Sequence, residues 1–120
     1  MTPPERTIIV LEIAERLDTA SVTAFKNDVQ GVLETSVGLV FDLSKTAFID
    51  STGLGALVSL LKTCNQLKVK LYLVGLTPQV RQIFELTRLY RLFDIFDTVA
   101  QAQADFADLG TTAPSMNKAG

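Results

Sequence analysis

Two short apolar runs flank a long segment of helical periodicity in the middle of the chain. The runs GLVFDLS (38–44) and KLYLVGL (70–76) have the nearly continuous apolar character of strands that are covered on both faces. Between them, one helix face collects apolar residues at the expected spacing: Leu54, Leu57, Val58, Leu61 and Cys64. Because a strand, a helix and a strand follow one another within about 40 residues, this segment predicts a right-handed βαβ unit with parallel strands.

The segment before this unit predicts one more strand and one more helix. Residues 6–14 (RTIIVLEIA) are apolar and β-branched and follow two prolines, which is typical of a strand. From Asp18 the apolar period becomes helical, and Asp18 or Thr19 is placed to cap this helix. Its apolar face collects Val22, Phe25, Val29, Val32 and Leu33.

The segment after the unit repeats the alternation of helix and strand. Thr77 and Pro78 supply an N-cap and a proline at the first position of a third helix. Residues 94–98 (DIFDT) predict a short strand, and residues 99–109 (VAQAQADFADL) predict a final helix. The order βαβαβαβα therefore predicts an α/β fold with a small mixed, mostly parallel sheet and about four helices packed mainly on one face.

The length and composition fit one globular domain. A chain of 120 residues with 48% apolar and 20% charged residues has room for one core and is not of disordered composition. We expect the domain to span residues 1–108, and the small polar residues 109–120 to form a flexible tail. No apolar leader or membrane-spanning stretch is evident, so we expect a cytoplasmic protein without a membrane partner. The positive mean hydropathy of +0.29 leaves room for a weak homodimer.

The charged and reactive residues exclude several classes of function. The chain has no histidine, which removes serine and cysteine hydrolases that depend on imidazole and the usual zinc sites. A net charge of −2 without a basic cluster gives no footprint for nucleic acid. Cys64 lies in an apolar helical stripe, where a buried structural thiol is expected. We therefore expect no enzyme activity, no metal and no cofactor.

One polar stretch stands out at the start of the central helix. The sequence FIDSTGLG (48–55) leads from the apolar run into that helix, at the sheet edge where open α/β folds place their working residues. Gly53 and Gly55 are poor helix formers, so they serve either close packing, with Asp50 or Ser51 as the cap, or an anion at the helix N-terminus. The chain lacks both nucleotide-binding glycine motifs, which favours a phosphate carried covalently on one of the two hydroxyls.

At these residues the chain resembles the STAS-domain anti-sigma factor antagonists, a bacterial partner-switching family. The resemblance covers residues 6 to about 107 and includes the Leu17-Asp18 step, the DSTGLG turn and the TPxVxxxFELTxL segment from Thr77 to Leu89. In the family, the serine directly after the aspartate is phosphorylated, which corresponds to Ser51. Many members have glycine where this chain has Glu15, a difference that bears on the identity of the partner.

The resemblance implies a switch between binding partners. The unphosphorylated protein would bind an anti-sigma factor that is also a serine kinase, and so release a sigma factor. Phosphorylation of Ser51 would abolish this binding, and a PP2C-type phosphatase would restore it. The chain would thus be the substrate of an enzyme and have no activity of its own.

We expect the partner-binding residues to surround Ser51. They are Asp18, Asp50, Thr52, Gly53, Leu54 and Gly55. Helix capping is an alternative role for Asp18 and Asp50, and Thr52 is expected to shape the turn. Asp42 is expected to be a hydrogen-bonded structural residue.

Two other functions are compatible with the same motif. A STAS module that is never phosphorylated would serve as a scaffold or a sensor of a small ligand. A phosphate- or nucleotide-binding protein would use the same helix N-terminus noncovalently, but no lysine or arginine lies within the turn to match the anion's charge.

Overall fold

A computed structural model describes residues 7–110 as ten elements of regular structure and a short 3₁₀ turn, Leu89–Arg91. The strands are β1 (Thr7–Glu12), β2 (Arg16–Leu17), β3 (Ser36–Asp42), β4 (Phe48–Ile49), β5 (Lys70–Val74) and β6 (Asp94–Phe96). The helices are α1 (Val22–Leu33), α2 (Ser51–Leu67), α3 (Pro78–Thr87) and α4 (Val99–Gly110).

Four strands form the main sheet, in the order β1-β3-β5-β6. Each neighbouring pair is parallel, and the same holds for a separate two-stranded sheet made of β2 and β4. The predicted α/β domain with four helices and a mostly parallel sheet is confirmed. Within residues 7–110 no antiparallel pair occurs, so the mixed character that we expected is not found there.

The main sheet is covered on both faces, but unequally. Helices α1, α2 and α3 share the larger core, which buries alternate residues of the central strands such as Leu39, Phe41 and Leu73. On the other face, α4 covers a smaller cluster that contains Val40 and Tyr72. Three helices on one face agree with the expected packing, and α4 alone lies opposite.

Helix α4 is attached to its face by one close contact and one hydrogen bond. Gly38 of β3 leaves a notch for the Phe106 ring, because a side chain at this position would meet that ring at about 3.1 Å. The buried Tyr72 hydroxyl donates to the Asp105 carboxylate at 2.8 Å. Burial, together with the hydrogen bond and negative charge of Asp105, raises the pKa of Tyr72 above its ordinary value.

The bounds of most predicted elements differ somewhat from the structure: β1, β5 and β6 each end two residues earlier than predicted, and three further elements differ as follows. Helix α1 begins at Val22, later than expected, and Asp18 caps the preceding turn instead of the helix. β3 spans residues 36–42 where the sequence suggested 38–44. α4 continues to Gly110, two residues beyond the expected domain boundary, while residues 111–120 of the expected tail lie outside the described part of the chain.

Two further expectations concern the burial of Cys64 and the apolar length of the helices. Cys64 is fully buried, as predicted, and burial raises the pKa of its thiol to about 11. Among the described residues, none of the helices combines the length and apolarity that a membrane crossing requires.

Candidate functional site

We had expected the FIDSTGLG stretch to follow the central strand directly, but the structure shows otherwise. β3 ends at Asp42, and residues 43–47 form a connection before the separate strand β4. β4 pairs in parallel with β2, in the register Arg16 to Phe48 and Leu17 to Ile49. The turn into α2 is therefore held against the segment that follows β2, which contains Asp18.

Asp50 caps α2 through its side chain. Its backbone is extended (φ −96°, ψ −175°), and its Oδ1 accepts the Gly53 N–H at 2.9 Å. The Asp50 carbonyl accepts the Leu54 N–H at 2.9 Å, which closes the first helical turn. Its Oδ2 also accepts the Thr19 N–H at 3.4 Å. Asp50 therefore joins the start of α2 to the segment after β2.

The two glycines of the motif have different surroundings. Gly53 is buried, and a Cβ at this position would overlap with the backbone carbonyl of Leu17. Gly55 is exposed, and a Cβ there would meet no atom of the described part of the chain within 4 Å. Close packing thus accounts for Gly53, as we considered from the sequence, but it does not account for Gly55.

Asp18 organises the turn that faces the start of α2. Its Oδ1 accepts the backbone N–H groups of Ala20 at 3.1 Å and Ser21 at 3.3 Å, and its Oδ2 accepts from Arg16 Nε at 3.1 Å. Desolvation raises the pKa of Asp18, but these hydrogen bonds and the charge of Arg16 outweigh it and lower the pKa below its ordinary value. Asp18 is thus an ionised carboxylate at neutral pH.

The two hydroxyls of the turn differ in their hydrogen bonds. Thr52 Oγ1 accepts a hydrogen bond from Thr19 Oγ1 at 3.3 Å. Ser51 is the first residue of α2 and is exposed, and within residues 7–110 its hydroxyl has no hydrogen-bond partner. Both residues are exposed; Ser51 Oγ is available to a reagent from outside, while Thr52 Oγ1 has one long hydrogen bond to Thr19.

Sequence reasoning missed one feature beside the turn. Phe48 is 39% exposed, and the guanidinium of Arg16 lies over its ring, 4.3 Å from the ring centroid. Arginine and aromatic side chains are frequent anchors of protein interfaces. Both residues were visible in the sequence, but β2 and β4 have only two residues each, too few to show a strand period.

The remaining carboxylate near this edge has a structural partner. Asp42 Oδ1 accepts the Ser44 N–H at 2.9 Å, which supports the expected structural role. In the described part of the chain, no group of three or more acidic or cysteine residues is placed to hold a metal ion.

Comparison with known proteins gives a consistent result. The family model of the STAS domain matches residues 2–102. An anti-sigma-B factor antagonist of Listeria monocytogenes is 31% identical over 85 residues, which are 69% of this chain and 74% of the relative. The anti-sigma-B factor antagonist of Staphylococcus aureus is 40% identical over 48 residues, which are 40% of this chain but only 44% of the relative.

The fold is also that of a solved structure. The anti-sigma factor antagonist SpoIIAA in its unphosphorylated form aligns with a TM-score of 0.74 over 93% of this chain and 96% of its own, at 17% identity. The phosphorylated form of SpoIIAA from Bacillus gives a TM-score of 0.67 over 88% of this chain and 96% of its own, at 16% identity. At these identities the likeness shows a shared fold.

Proposed function

This chain belongs to the STAS domain family, and from that membership we propose that it is an anti-sigma factor antagonist regulated by phosphorylation of Ser51. The unphosphorylated protein binds an anti-sigma factor that is also a serine kinase, and a sigma factor is released. The kinase phosphorylates Ser51 and thereby ends the binding, and a PP2C-type phosphatase removes the phosphate. The protein works in the cytoplasm as a binding partner and a substrate.

The exposed hydroxyl of Ser51, which has no hydrogen-bond partner among residues 7–110, is the observation that carries this proposal. A kinase needs a hydroxyl that can enter its active site, and Ser51 offers one at the first position of α2. The neighbouring Thr52 hydroxyl is bonded to Thr19. The names of the relatives support the partner class, because the matched proteins of Listeria and Staphylococcus are anti-sigma-B factor antagonists.

A phosphate on Ser51 fits the fold of the protein itself. It would add a charge of about −1.5 to −2 at a helix N-terminus, where the helix dipole favours an anion. Asp50 already satisfies the Gly53 N–H, so the cap stays in place when Ser51 is modified. We therefore expect the phosphorylated protein to keep its fold. SpoIIAA has been solved in both forms, which supports this expectation.

The same phosphate is incompatible with a close interface. Leu54 is half-buried and Gly55 is exposed, so a partner can approach the start of α2 closely without meeting a side chain at Gly55. A dianion inside this contact would lose its water and lie near the negative charge of Asp18, which costs several kcal/mol of binding free energy. Binding is thus lost without refolding.

The other predicted site residues have positioning roles in this proposal. Asp50 caps α2 and directs Ser51 outward, and Gly53 allows α2 to approach Leu17. Asp18 holds the facing turn and presents a carboxylate beside the contact surface. In this proposal Ser51, Thr52, Leu54 and Gly55 form the centre of the surface that faces the partner.

The proposal is tested by isolating the binding partner and measuring its affinity. The tagged chain is purified from its own host, co-purified proteins are identified, and the affinity of the recovered kinase is measured for wild type, Ser51→Ala, Ser51→Asp and Thr52→Ala. We expect Ser51→Asp to weaken binding about 100-fold, or about 2.7 kcal/mol, and the other two variants to bind nearly as wild type. Circular dichroism checks that all variants are folded.

Equal binding of all four proteins would contradict the proposed switch. The protein would then be a STAS scaffold or a sensor of a small ligand, and of the two glycines only Gly53 would have a packing role.

A further inference from the structure

A second surface lies at the edge of the main sheet that is formed by β6, the edge opposite β1. There, a cleft of about 990 Å³ opens beside β6, the outermost strand. Within residues 7–110, no strand pairs with the outer side of β6. None of the residues that line this cleft belongs to the turn around Ser51. The cleft is therefore independent of the site described above.

The walls of the cleft come from both helical layers. On the side of the larger core, the lining includes the stacked pair Phe84 and Phe93, with ring centroids 5.7 Å apart, and Tyr90, which is 48% exposed. On the side of α4, it includes Phe96 and Ala104. A cavity at a sheet edge that reaches both layers occupies the place where the next strand would lie, about 4.8 Å from β6.

The backbone of β6 can receive such a strand. The Gly75 N–H donates to the Phe96 carbonyl at 3.1 Å, so the backbone of Phe96 faces β5. Since backbone groups of successive residues in a parallel strand point to opposite sides, the N–H and C=O of Ile95 point outward. One donor and one acceptor are thus available at the centre of the cleft.

The charges of the cleft favour a basic partner. Among the described residues, its charged lining residues are Arg81, Glu85 and Asp97, which sum to −1. Asp97 is 79% exposed, and its ion pair with Arg81 is long, at 3.8 Å. The exposed ring of Tyr90 adds a face to which a cation is attracted.

A second copy of the chain fits this edge poorly. β6 has only three residues, it begins with Asp94, and Asp97 follows it directly. A very short edge strand with charged residues next to its ends is a typical protection against pairing with another copy.

We propose that this cleft binds an extended segment of a partner protein, which adds to β6 as a fifth strand and carries alternating apolar side chains with a lysine or arginine. The alternating side chains fill the two walls, towards Phe84 and Phe93 on one side and towards Phe96 on the other. Because the cleft shares no residue with the Ser51 turn, the protein can hold this partner in either phosphorylation state.

The test uses the full chain and a matched pair of variants. Random peptides of about ten residues, long enough to cross the cleft as a strand, are displayed on phage and selected on the wild-type protein. The affinity of the enriched peptides is then measured by fluorescence anisotropy for wild type, Ala104→Trp and Ala100→Trp. Both alanines are exposed on α4, but only Ala104 lines the cleft. Ser51→Asp is measured in parallel.

We expect enriched peptides with alternating apolar residues and at least one Lys or Arg. Ala104→Trp should weaken their binding about tenfold or more, which corresponds to at least about 1.4 kcal/mol. Ala100→Trp and Ser51→Asp should each change the affinity less than about twofold. The amide signal of Ile95 should shift on binding.

Several results would overturn the proposal. No enrichment, acidic consensus peptides, or equal binding to Ala104→Trp would each reject a basic strand in the cleft. If the wild type dimerises in sedimentation experiments and Ala104→Trp abolishes this dimerisation, the occupant of the cleft is a second copy of the chain. If peptides bind more strongly after residues 1–6 or 111–120 are removed, the removed segment competes for the cleft and is its occupant. Because Ser51→Asp is measured in both experiments, failure of the switch and failure of this proposal are distinguishable.

Discussion

The starts of α2 and α3 use the same cap but differ in what they leave exposed. Asp50 and Thr77 both have extended backbones, and each side chain accepts the N–H three residues later, at 2.9 Å and 3.4 Å. At α3, the next residue is Pro78, and the Thr77 hydroxyl donates to the Thr46 carbonyl at 2.8 Å. At α2, the next residue is Ser51, whose hydroxyl is exposed.

This difference separates structural need from function at the α2 turn. Capping explains Asp50 as fully as it explains Thr77, and packing explains Gly53. Neither explains why α2 begins with an exposed serine or why Gly55 stands in open space. The proposed phosphosite and contact surface therefore rest on Ser51 and Gly55 more than on the aspartate beside them.

The largest expected effect separates the two glycines. Gly53→Ala should lower the free energy of unfolding by about 1–3 kcal/mol, because the added methyl group overlaps with the Leu17 carbonyl and α2 must move. Gly55→Ala should raise it by up to about 1 kcal/mol, since alanine is the better helix former and meets no atom. Urea unfolding of both variants measures the difference. Equal effects would show that the two positions are not distinct.

The two caps should contribute similarly to stability. Asp50→Ala and Thr77→Ala should each lower the free energy of unfolding by about 1 kcal/mol, because each leaves one helix N–H without its acceptor. Asp50→Asn keeps an acceptor oxygen and should retain most of that stability and normal partner binding. If Asp50→Asn unfolds like Asp50→Ala, or loses the partner while folded, the carboxylate has a role beyond capping.

Acid should affect the α2 turn through Asp18 but leave the α3 cap unchanged. The pKa of Asp18 is lowered in the folded protein, so its stabilising contribution is complete above the ordinary value of 3.8 and is lost as the pH falls through the lower folded value. The stability difference between wild type and Asp18→Asn should therefore shrink between about pH 5 and pH 2. The deficit of Thr77→Ala should not change with pH, because a hydroxyl does not titrate there. If the difference in the free energy of unfolding between wild type and Asp18→Asn stays constant over this pH range, the ionised carboxylate of Asp18 does not stabilise the fold.

The smallest expected effect concerns Thr52. Thr52→Ala removes one exposed hydroxyl contact with Thr19, so the free energy of unfolding should change by less than about 0.5 kcal/mol. Phosphorylation of the protein in its host should be unaffected. Loss of phosphate in Thr52→Ala, with Ser51 present, would make Thr52 the acceptor and reverse the assignment.

Local signals in the sequence were sufficient for most of the fold. The apolar runs predicted β3 and β5, the helical period predicted α2, and the Thr77-Pro78 pair predicted the start of α3. These elements are long or are marked by cap residues that act within one turn. The DSTGLG turn predicted the family for the same reason, because its residues are contiguous.

The parts that the sequence did not predict depend on distant contacts. β2 and β4 are strands only because they pair with each other across about 30 residues of chain. The clash that Gly53 avoids is with Leu17, a residue of β2, and the hydroxyl partner of Thr52 is Thr19. The cleft beside β6 is likewise assembled from α3, β6 and α4. No periodicity within one segment contains this information.

Mapping of phosphate on the protein from its own host tests the central claim most directly. Tandem mass spectrometry is applied to the wild type and to Ser51→Ala produced in the same cells during growth, starvation and stress. We predict phosphate on Ser51 in the wild type and no phosphate in the α2 turn of Ser51→Ala. An unmodified Ser51 under all three conditions, or a phosphate on Thr52 instead, would contradict the account.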